Sequence, residues 1–400
     1  MIITHHFPKQ PRRGNTREAQ LTPHKRSAVW GMSHVWGMSH KRSAALLVLL
    51  ILCTACRDRN GSPTPYEVPI PKGFPTVLNI PADNPMTVEG VELGRLLFHD
   101  PHLCGYTGAD PDSLMSCSTC HRRECNYDLG TDNPRFPDGK PKGRATGKPT
   151  IHNVMPLMNL IFNQEGYLWN GLVSSSNPNE EMRTIEDIVR MAIVADDEMC
   201  GTETGAVAAI KADSKYPPLF KKAFGTEEIT MERIQKAIAQ FVRSLIACNS
   251  KFDRYLQGLE QLTPQELHGY VLFTTEEGAD CFHCHGSSGS PLFTTNLFYN
   301  NGLDAQPTDA HDRSSVTGDP HDRGAYRAPS LRNVTRSAPY MHDGRFQTLD
   351  DVLEFYNSEV QNSPYISPLM HHVNDGGVRL TPSDMEDLKA FLLTLTDDSI

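Results

Sequence analysis

Two short cysteine motifs constrain this 400-residue chain more than any other feature: Cys117-Ser118-Thr119-Cys120-His121 and Cys281-Phe282-His283-Cys284-His285. Both read C-x-x-C-H, the attachment pattern of c-type haem. Two thiols one helical turn apart can add to the two vinyl groups of one porphyrin edge, and the adjoining histidine then turns its imidazole under the ring to bind iron. A zinc site would need a fourth converging ligand that neither motif offers, and a redox dithiol has no use for the flanking histidine. The expectation is two covalently bound haem c groups. Cys117, Cys120 and His121 hold one and Cys281, Cys284 and His285 the other, with His121 and His285 on the irons.

Covalent haem of this kind is attached only after export, and the start of the chain agrees. Lys41 and Arg42 precede an apolar run from Ala44 to Leu52, which ends in Cys53-Thr54-Ala55-Cys56. Basic, then apolar, then small residues is the order of a signal peptide. The pair Thr54-Ala55 directly before Cys56 also resembles a bacterial lipoprotein signal, in which a lipidated Cys56 would tie the protein to a membrane in the periplasm. Ordinary cleavage and free secretion is the alternative. Residues 1–55 are thus read as signal and upstream segment, with Met38 as an alternative start and the tandem WGMSH (Trp30 to His34, Trp36 to His40) as an upstream artefact. No stretch reaches the ~18 apolar residues of a spanning helix. Losing residues 1–55 strips eight basic side chains and one acidic one from a chain of net charge −10, leaving it more acidic still. Such a field repels nucleic acid and favours docking with cationic proteins, small basic electron carriers among them.

Residues 56–82 carry Pro63, Pro65, Pro69, Pro71 and Pro75 and read as a tether too poor in apolar residues to pack. Beyond them the periodicity is helical, as in Ile234, Ala237, Ile238, Phe241, Val242 and Leu245. Thr263-Pro264-Gln265-Glu266 and Thr381-Pro382-Ser383-Asp384 each offer an N-cap, a proline at the first helical position and a reciprocal acid; Thr348 opens a further helix carrying Val352, Leu353 and Tyr356. Strand-like alternation is scarce. The fold expected is mainly α, with two cytochrome-c-like haem domains, 83–255 and 256–400, and long irregular loops over 100–150 and 286–347. Four cysteines remain, Cys104, Cys125, Cys200 and Cys248; in an oxidising compartment the plain reading is two disulfides, 104–125 and 200–248, although sequence cannot fix connectivity.

Around the motifs the chain resembles the bacterial di-haem cytochrome c peroxidase family, including its MauG and MbnH branches. The matching stretches are Leu93-Gly94-Arg95-Leu96-Leu97-Phe98-His99-Asp100, Trp169-Asn170-Gly171, Ala237 through Leu245, and Phe252-Asp253-Arg254-Tyr255. Most telling are Ala328-Pro329-Ser330-Leu331-Arg332-Asn333-Val334 and Ala338-Pro339-Tyr340-Met341-His342-Asp343-Gly344. The resemblance implies an enzyme in which the first haem reacts with H2O2 and the second transfers electrons, often with one Ca2+ at the domain junction. It implies a sixth ligand for the second haem in the helix after His342-Asp343-Gly344. Classical members carry methionine there; this chain has Tyr356, as the MauG and MbnH branches do, with Met341 and Met370 as rivals nearby. A phenolate lowers a haem's potential and suits storage of an oxidising equivalent, whereas a thioether suits electron acceptance. No histidine falls between His121 and His152, so the first iron is expected to be open. The family's acid/base glutamate falls on Glu186 in Thr184-Ile185-Glu186-Asp187-Ile188, although the glutamine usually two before the tryptophan is Tyr167 here.

The function expected is peroxide-dependent oxidation of an external donor. That donor is either a small redox protein or, as in MauG, a tyrosine or tryptophan of a partner protein, and Trp169 is a candidate relay between the haems. A plain electron-transfer cytochrome, the non-enzymatic alternative, would need both irons six-coordinate.

Overall fold

The computed structural model describes residues 62–108, 110–177, 181–286 and 289–400. The signal segment and Cys56 lie outside them. Within these residues the regular structure is almost wholly helical: α1 (Val88–Phe98), α2 (Cys117–Cys120), α3 (Ile185–Val194), α4 (Glu203–Ala212), α5 (Tyr216–Phe224), α6 (Met231–Arg243), α7 (Lys251–Leu256), α8 (Pro264–Phe273), α9 (Phe282–His285), α10 (Ser314–Thr317), α11 (Leu349–Glu354) and α12 (Pro382–Leu393). One antiparallel pair of two-residue strands, β1 (Phe298–Tyr299) and β2 (Tyr326–Arg327), completes it. None of these helices is long and apolar enough to cross a membrane.

The helix starts follow from their capping residues. Thr263 Oγ accepts from the Glu266 amide at 3.2 Å while the Glu266 carboxylate accepts from the Thr263 amide at 2.7 Å. Thr381 and Asp384 do the same for α12, and Thr348 and Asp351 for α11. Each reciprocal pair satisfies two amides that the first turn leaves without helical partners.

Both haem motifs sit in the same local arrangement. Helix α1, ahead of the first motif, crosses α6 so closely that a Cβ on Gly94 would stand 1.9 Å from the Ala237 carbonyl oxygen; α8, ahead of the second, crosses α12 so closely that a Cβ on Gly269 would stand 1.9 Å from that of Asp387. Only glycine permits such an approach. Gly94→Ala is therefore expected to force the two helices apart and to cost about 1–3 kcal/mol, the usual scale of overpacking, read as a lowered midpoint in chemical denaturation; an unchanged midpoint would show that the crossing yields freely.

An apolar cluster runs from Leu93 to Ala247 and includes Phe98, Ile193, Phe220, Ile234 and Phe241; a second runs from Phe252 to Leu395. In the second, Phe273 and Phe252 pack on Phe391 with ring centroids 5.2 and 5.3 Å apart. A smaller third cluster gathers Phe74, Met86, Ile161, Phe162 and Leu292. The proline-rich stretch is accordingly no unpacked tether over 62–82. Phe74 is buried edge-on to Phe162, Tyr66 donates its amide to the Met86 carbonyl at 3.0 Å, and Asn79 donates to the Leu160 and Asn163 carbonyls. A few well-placed rings and backbone bonds seat it despite its low apolar content.

The disulfide expectation is also corrected, since all eight described cysteines are unpaired. Cys104 Sγ is turned to the Pro101 carbonyl at 3.3 Å, and Cys200 Sγ to that of Asp196 at 3.1 Å.

Candidate functional site: two haem cradles and the segment between them

The first motif folds as one turn of helix, with Ser116 and Thr119 in reciprocal capping positions. The chain then doubles back through Asn126 and Tyr127, both left-handed at φ 62° and 55°, which brings the Tyr127 carbonyl 2.8 Å from His121 Nδ1. An imidazole that donates its Nδ1–H to a carbonyl leaves Nε2 unprotonated and fixed in direction, the state iron requires. Burial lowers the His121 pKa against the pull of the Tyr127 and Met155 backbone, so the ring stays neutral. Burial also pushes both thiols, Cys117 and Cys120, up to about 12, with a contribution from the Glu198 charge. Neutral, unpaired thiols of this kind are suited to covalent capture and poorly suited to free redox exchange.

The second motif has the same design. His285 Nδ1 donates to the Pro329 carbonyl at 3.1 Å, and burial lowers its pKa to about 4. Here the cradle is an open cavity into which Cys281, Cys284, His285 and Tyr356 all face. Its other walls are mainly apolar, among them Leu331, Val352, Leu353, Val360 and Leu392. Tyr356 stands beyond the end of α11, in a wider π-helical turn over Phe355–Glu359, rather than in regular helix. Turns of that kind re-aim a side chain and recur at functional sites. Its hydroxyl accepts from Asn301 Nδ2 at 2.8 Å, and burial holds its pKa above the ordinary phenol value. The rivals stay close: Met341 and Met370 line the same cavity, and Met341 Sδ lies 3.9 Å from the same Asn301 amide.

Between the cradles runs a polar segment. Trp169 lines the second cavity and donates its indole N–H to the Asn153 carbonyl at 2.9 Å, two residues from Met155, whose backbone reaches His121. Asn153 Oδ1 is, among the described residues, the single buried side-chain oxygen or nitrogen without a hydrogen-bond partner. Its Nδ2 points to the Pro339 and Met341 carbonyls at 2.6 and 3.4 Å. A buried amide oxygen left without a partner is an open acceptor for a proton donor or a cation. Arg327 is buried on the same side, donating to Asn296 at 2.9 Å, and burial lowers its pKa to about 10.

Glu186 lies in the first turn of α3, buried, with its two oxygens 2.7 and 2.8 Å from the Arg243 guanidinium and a further bond from Asn84 at 2.6 Å. Burial opposes its ionisation, but Arg243 and Asn84 prevail and hold it below the ordinary carboxyl value. Tyr167 shares this neighbourhood with Glu186, Arg243 and Arg327. The acid whose charge bears on both first-motif thiols is a different one: Glu198, in the turn after α3, raised by burial to about 7. Sequence reasoning passed over Glu198, Asn153, Arg243 and Arg327. Arg243 lay inside a quoted matching stretch, but nothing local distinguishes a buried arginine from a solvated one.

Residues 88–261 match the family model described as di-haem cytochrome c peroxidase. The methylamine utilization protein MauG of Methylorubrum extorquens is 32% identical over 334 residues, 83% of this chain and 82% of that protein. The chain belongs to the di-haem cytochrome c peroxidase family. The cytochrome c551 peroxidase of Nitrosomonas europaea is 30% identical over 328 residues, 80% of this chain and 83% of that one. Among solved structures, a MauG-like protein associated with microbial copper homeostasis shares 33% identity at a TM-score of 0.70, covering 84% of this chain and 96% of that one. As a di-haem cytochrome c peroxidase family member, the protein is an oxidoreductase acting on peroxide, and the family implies two haem c groups. The residues present fit them. Each motif supplies two half-buried thiols and a neutral imidazole held by a backbone carbonyl, and the second opens on a cavity with a further oxygen donor.

Proposed function

We propose that this enzyme takes up H2O2 at the haem held by Cys117, Cys120 and His121, and holds the oxidising equivalents at a second haem held by Cys281, Cys284, His285 and Tyr356 until an external donor supplies electrons. Residues 83–255 and 256–400 serve as the two haem domains. The observation that carries the reading is Tyr356 facing the same cavity as His285, with its hydroxyl fixed by Asn301. Bound haem supplies the redox chemistry itself. The chain's own part is to hold neutral imidazoles, to exclude water, to move one proton and to connect the two sites.

Glu186 is the group proposed to move the proton. Held ionised by Arg243, its carboxylate could accept a proton from peroxide and return it, the exchange that cleavage of the O–O bond requires. Trp169 is proposed as the connection, since its indole is anchored to the backbone segment that borders His121 while its ring lines the second cavity. One Ca2+ at the domain junction is proposed because the family resemblance implies it, and Asn153 Oδ1 is one oxygen free to take part in holding it.

Of the two donor classes, a phenolate-ligated second haem favours a tyrosine or tryptophan side chain of a partner protein over a small redox protein, because the low potential it confers is a poor match for accepting electrons from a high-potential carrier. Placement in the periplasm, with a lipid anchor at Cys56, completes the proposal. Tyr356→Met should raise the potential of the second haem and shorten the life of the peroxide-oxidised state, measured by redox titration and by decay of the optical spectrum after one equivalent of H2O2. A low-spin spectrum indifferent to the substitution would assign the ligand to Met341 or Met370 instead.

A further inference from the structure

Haem attachment makes no demand on the third residue of a C-x-x-C-H motif, yet His283 in that position is held by a deliberate set of contacts. Asp280, whose side chain is only 6% exposed, lies 2.6 Å from His283 Nδ1 and 3.0 Å from His371 Nδ1. With both imidazoles donating to this one carboxylate, both Nε2 atoms carry free lone pairs. His283 Nε2 faces the Glu276 carboxylate at 3.6 Å, and one ligand atom from each of Glu276, His283 and His371 lies within 4.8 Å of the other two. The two rings stand at 89° to each other with centroids 5.0 Å apart, edge to face rather than stacked. His371 comes from a segment distant in sequence, and that segment is pinned here by His372, whose Nε2 donates to the Glu276 carbonyl at 2.8 Å.

We propose that Glu276, His283 and His371 bind one borderline divalent transition-metal ion, Zn2+ or Cu2+, with Asp280 orienting both histidines. Two imidazoles, one carboxylate and a face open to solvent make a three-ligand site with a fourth position for water. The carboxylate behind the histidines is the usual outer partner of metal-bound imidazole. Around zinc at ~2.0–2.2 Å, tetrahedral ligands stand roughly 3–3.5 Å apart, so a small rotation of the exposed Glu276 and His371 side chains closes the sphere. Calcium and magnesium would want more oxygens than this cluster offers, and Cu2+ should bind above Zn2+. His371 and His372 also line the cavity of the second cradle, which puts the ion at its edge. The site shares no residue with the haem ligands, and it stands whether or not Tyr356 binds iron.

The test is titration of the di-haem protein with Cu2+ and with Zn2+, followed by calorimetry and, for copper, by the nitrogen hyperfine pattern in EPR. One ion per chain is expected at this site, with Zn2+ displaced by Cu2+. His371→Gln and Glu276→Gln lie outside the haem motif; each is expected to weaken Cu2+ binding at least ~10-fold while the Soret band and haem content stay unchanged. Failure of the wild type to bind either ion overturns the proposal, and so does a Cu2+ affinity that His371→Gln leaves within about threefold of wild type, well short of that loss. The cluster would then be an ion-paired surface group only.

Discussion

Glu186→Gln is expected to slow oxidation of the haems by H2O2 at least ~100-fold, the lower end of what a positioned general acid/base contributes. The substitution preserves shape and one oxygen for Arg243 but removes the charge and with it the capacity to take up and return a proton. Because the carboxylate bonds Arg243 through both oxygens in a buried setting, the variant also leaves a guanidinium without its counter-charge, and some loss of stability accompanies the loss of rate. Stopped-flow mixing of folded, haem-loaded protein with H2O2, followed at the Soret band, separates the two. A rate within about threefold of wild type, far short of the expected loss, would leave Glu186 as a buried structural partner. The proton-moving role would then pass to Glu198, the half-buried acid whose charge bears on the first-motif thiols and whose pKa of about 7 suits proton exchange in both directions. Asp187 is not an alternative, since its carboxylate caps α3 by accepting from Thr184 and Arg183.

Asp253→Ala is expected to destabilise the protein by about 3–5 kcal/mol, the usual penalty for leaving one member of a buried ion pair alone. Arg332 reaches Asp253 with both terminal nitrogens, at 2.6 and 2.8 Å, and both residues are almost wholly buried. The pair joins α7 to the segment that carries Pro329, whose carbonyl aims His285, so the second cradle should loosen with it. Urea unfolding followed by circular dichroism should show a lower midpoint at an unchanged slope. The sign of the pH dependence follows: burial opposes ionisation of Asp253, but Arg332 and the Ser250 amide keep its pKa below the ordinary value. Its contribution to stability is therefore complete above the unfolded value of ~3.9 and is lost as pH falls through the lower folded one. In the variant that part of the acid dependence should be absent. A midpoint shift under ~1 kcal/mol would mean that Arg332 finds water or another partner, as surface pairs do.

The sequence was most legible where local chemistry is self-contained. Thr263, Thr348 and Thr381 announced their helices because a cap and its reciprocal acid lie three residues apart, and the haem motifs announced themselves because two thiols and an imidazole must share one helical turn. Tyr356 could be singled out only through the family resemblance, and even so the structure sets it in a π-helical turn that no periodicity signals. What stayed hidden depends on partners far apart in the chain: Glu186 with Arg243, Asp253 with Arg332, Asn153 beside Pro339, and His283 with His371. Composition misled over 62–82, where Phe74 anchors a stretch otherwise too polar to pack. Counting cysteines misled as well, because an even number left over in an exported protein suggests disulfides, whereas each sulfur's actual neighbours are set by the loops around it.

The most direct test of the central claim is the EPR and optical spectrum of the purified ferric protein before and after one equivalent of H2O2. One high-spin and one low-spin haem, converting together to a long-lived oxidised state, is the predicted result, and it would follow from an open first iron and a His285/Tyr356 second one. Two low-spin haems that H2O2 leaves unchanged would contradict it and make the protein an electron-transfer cytochrome.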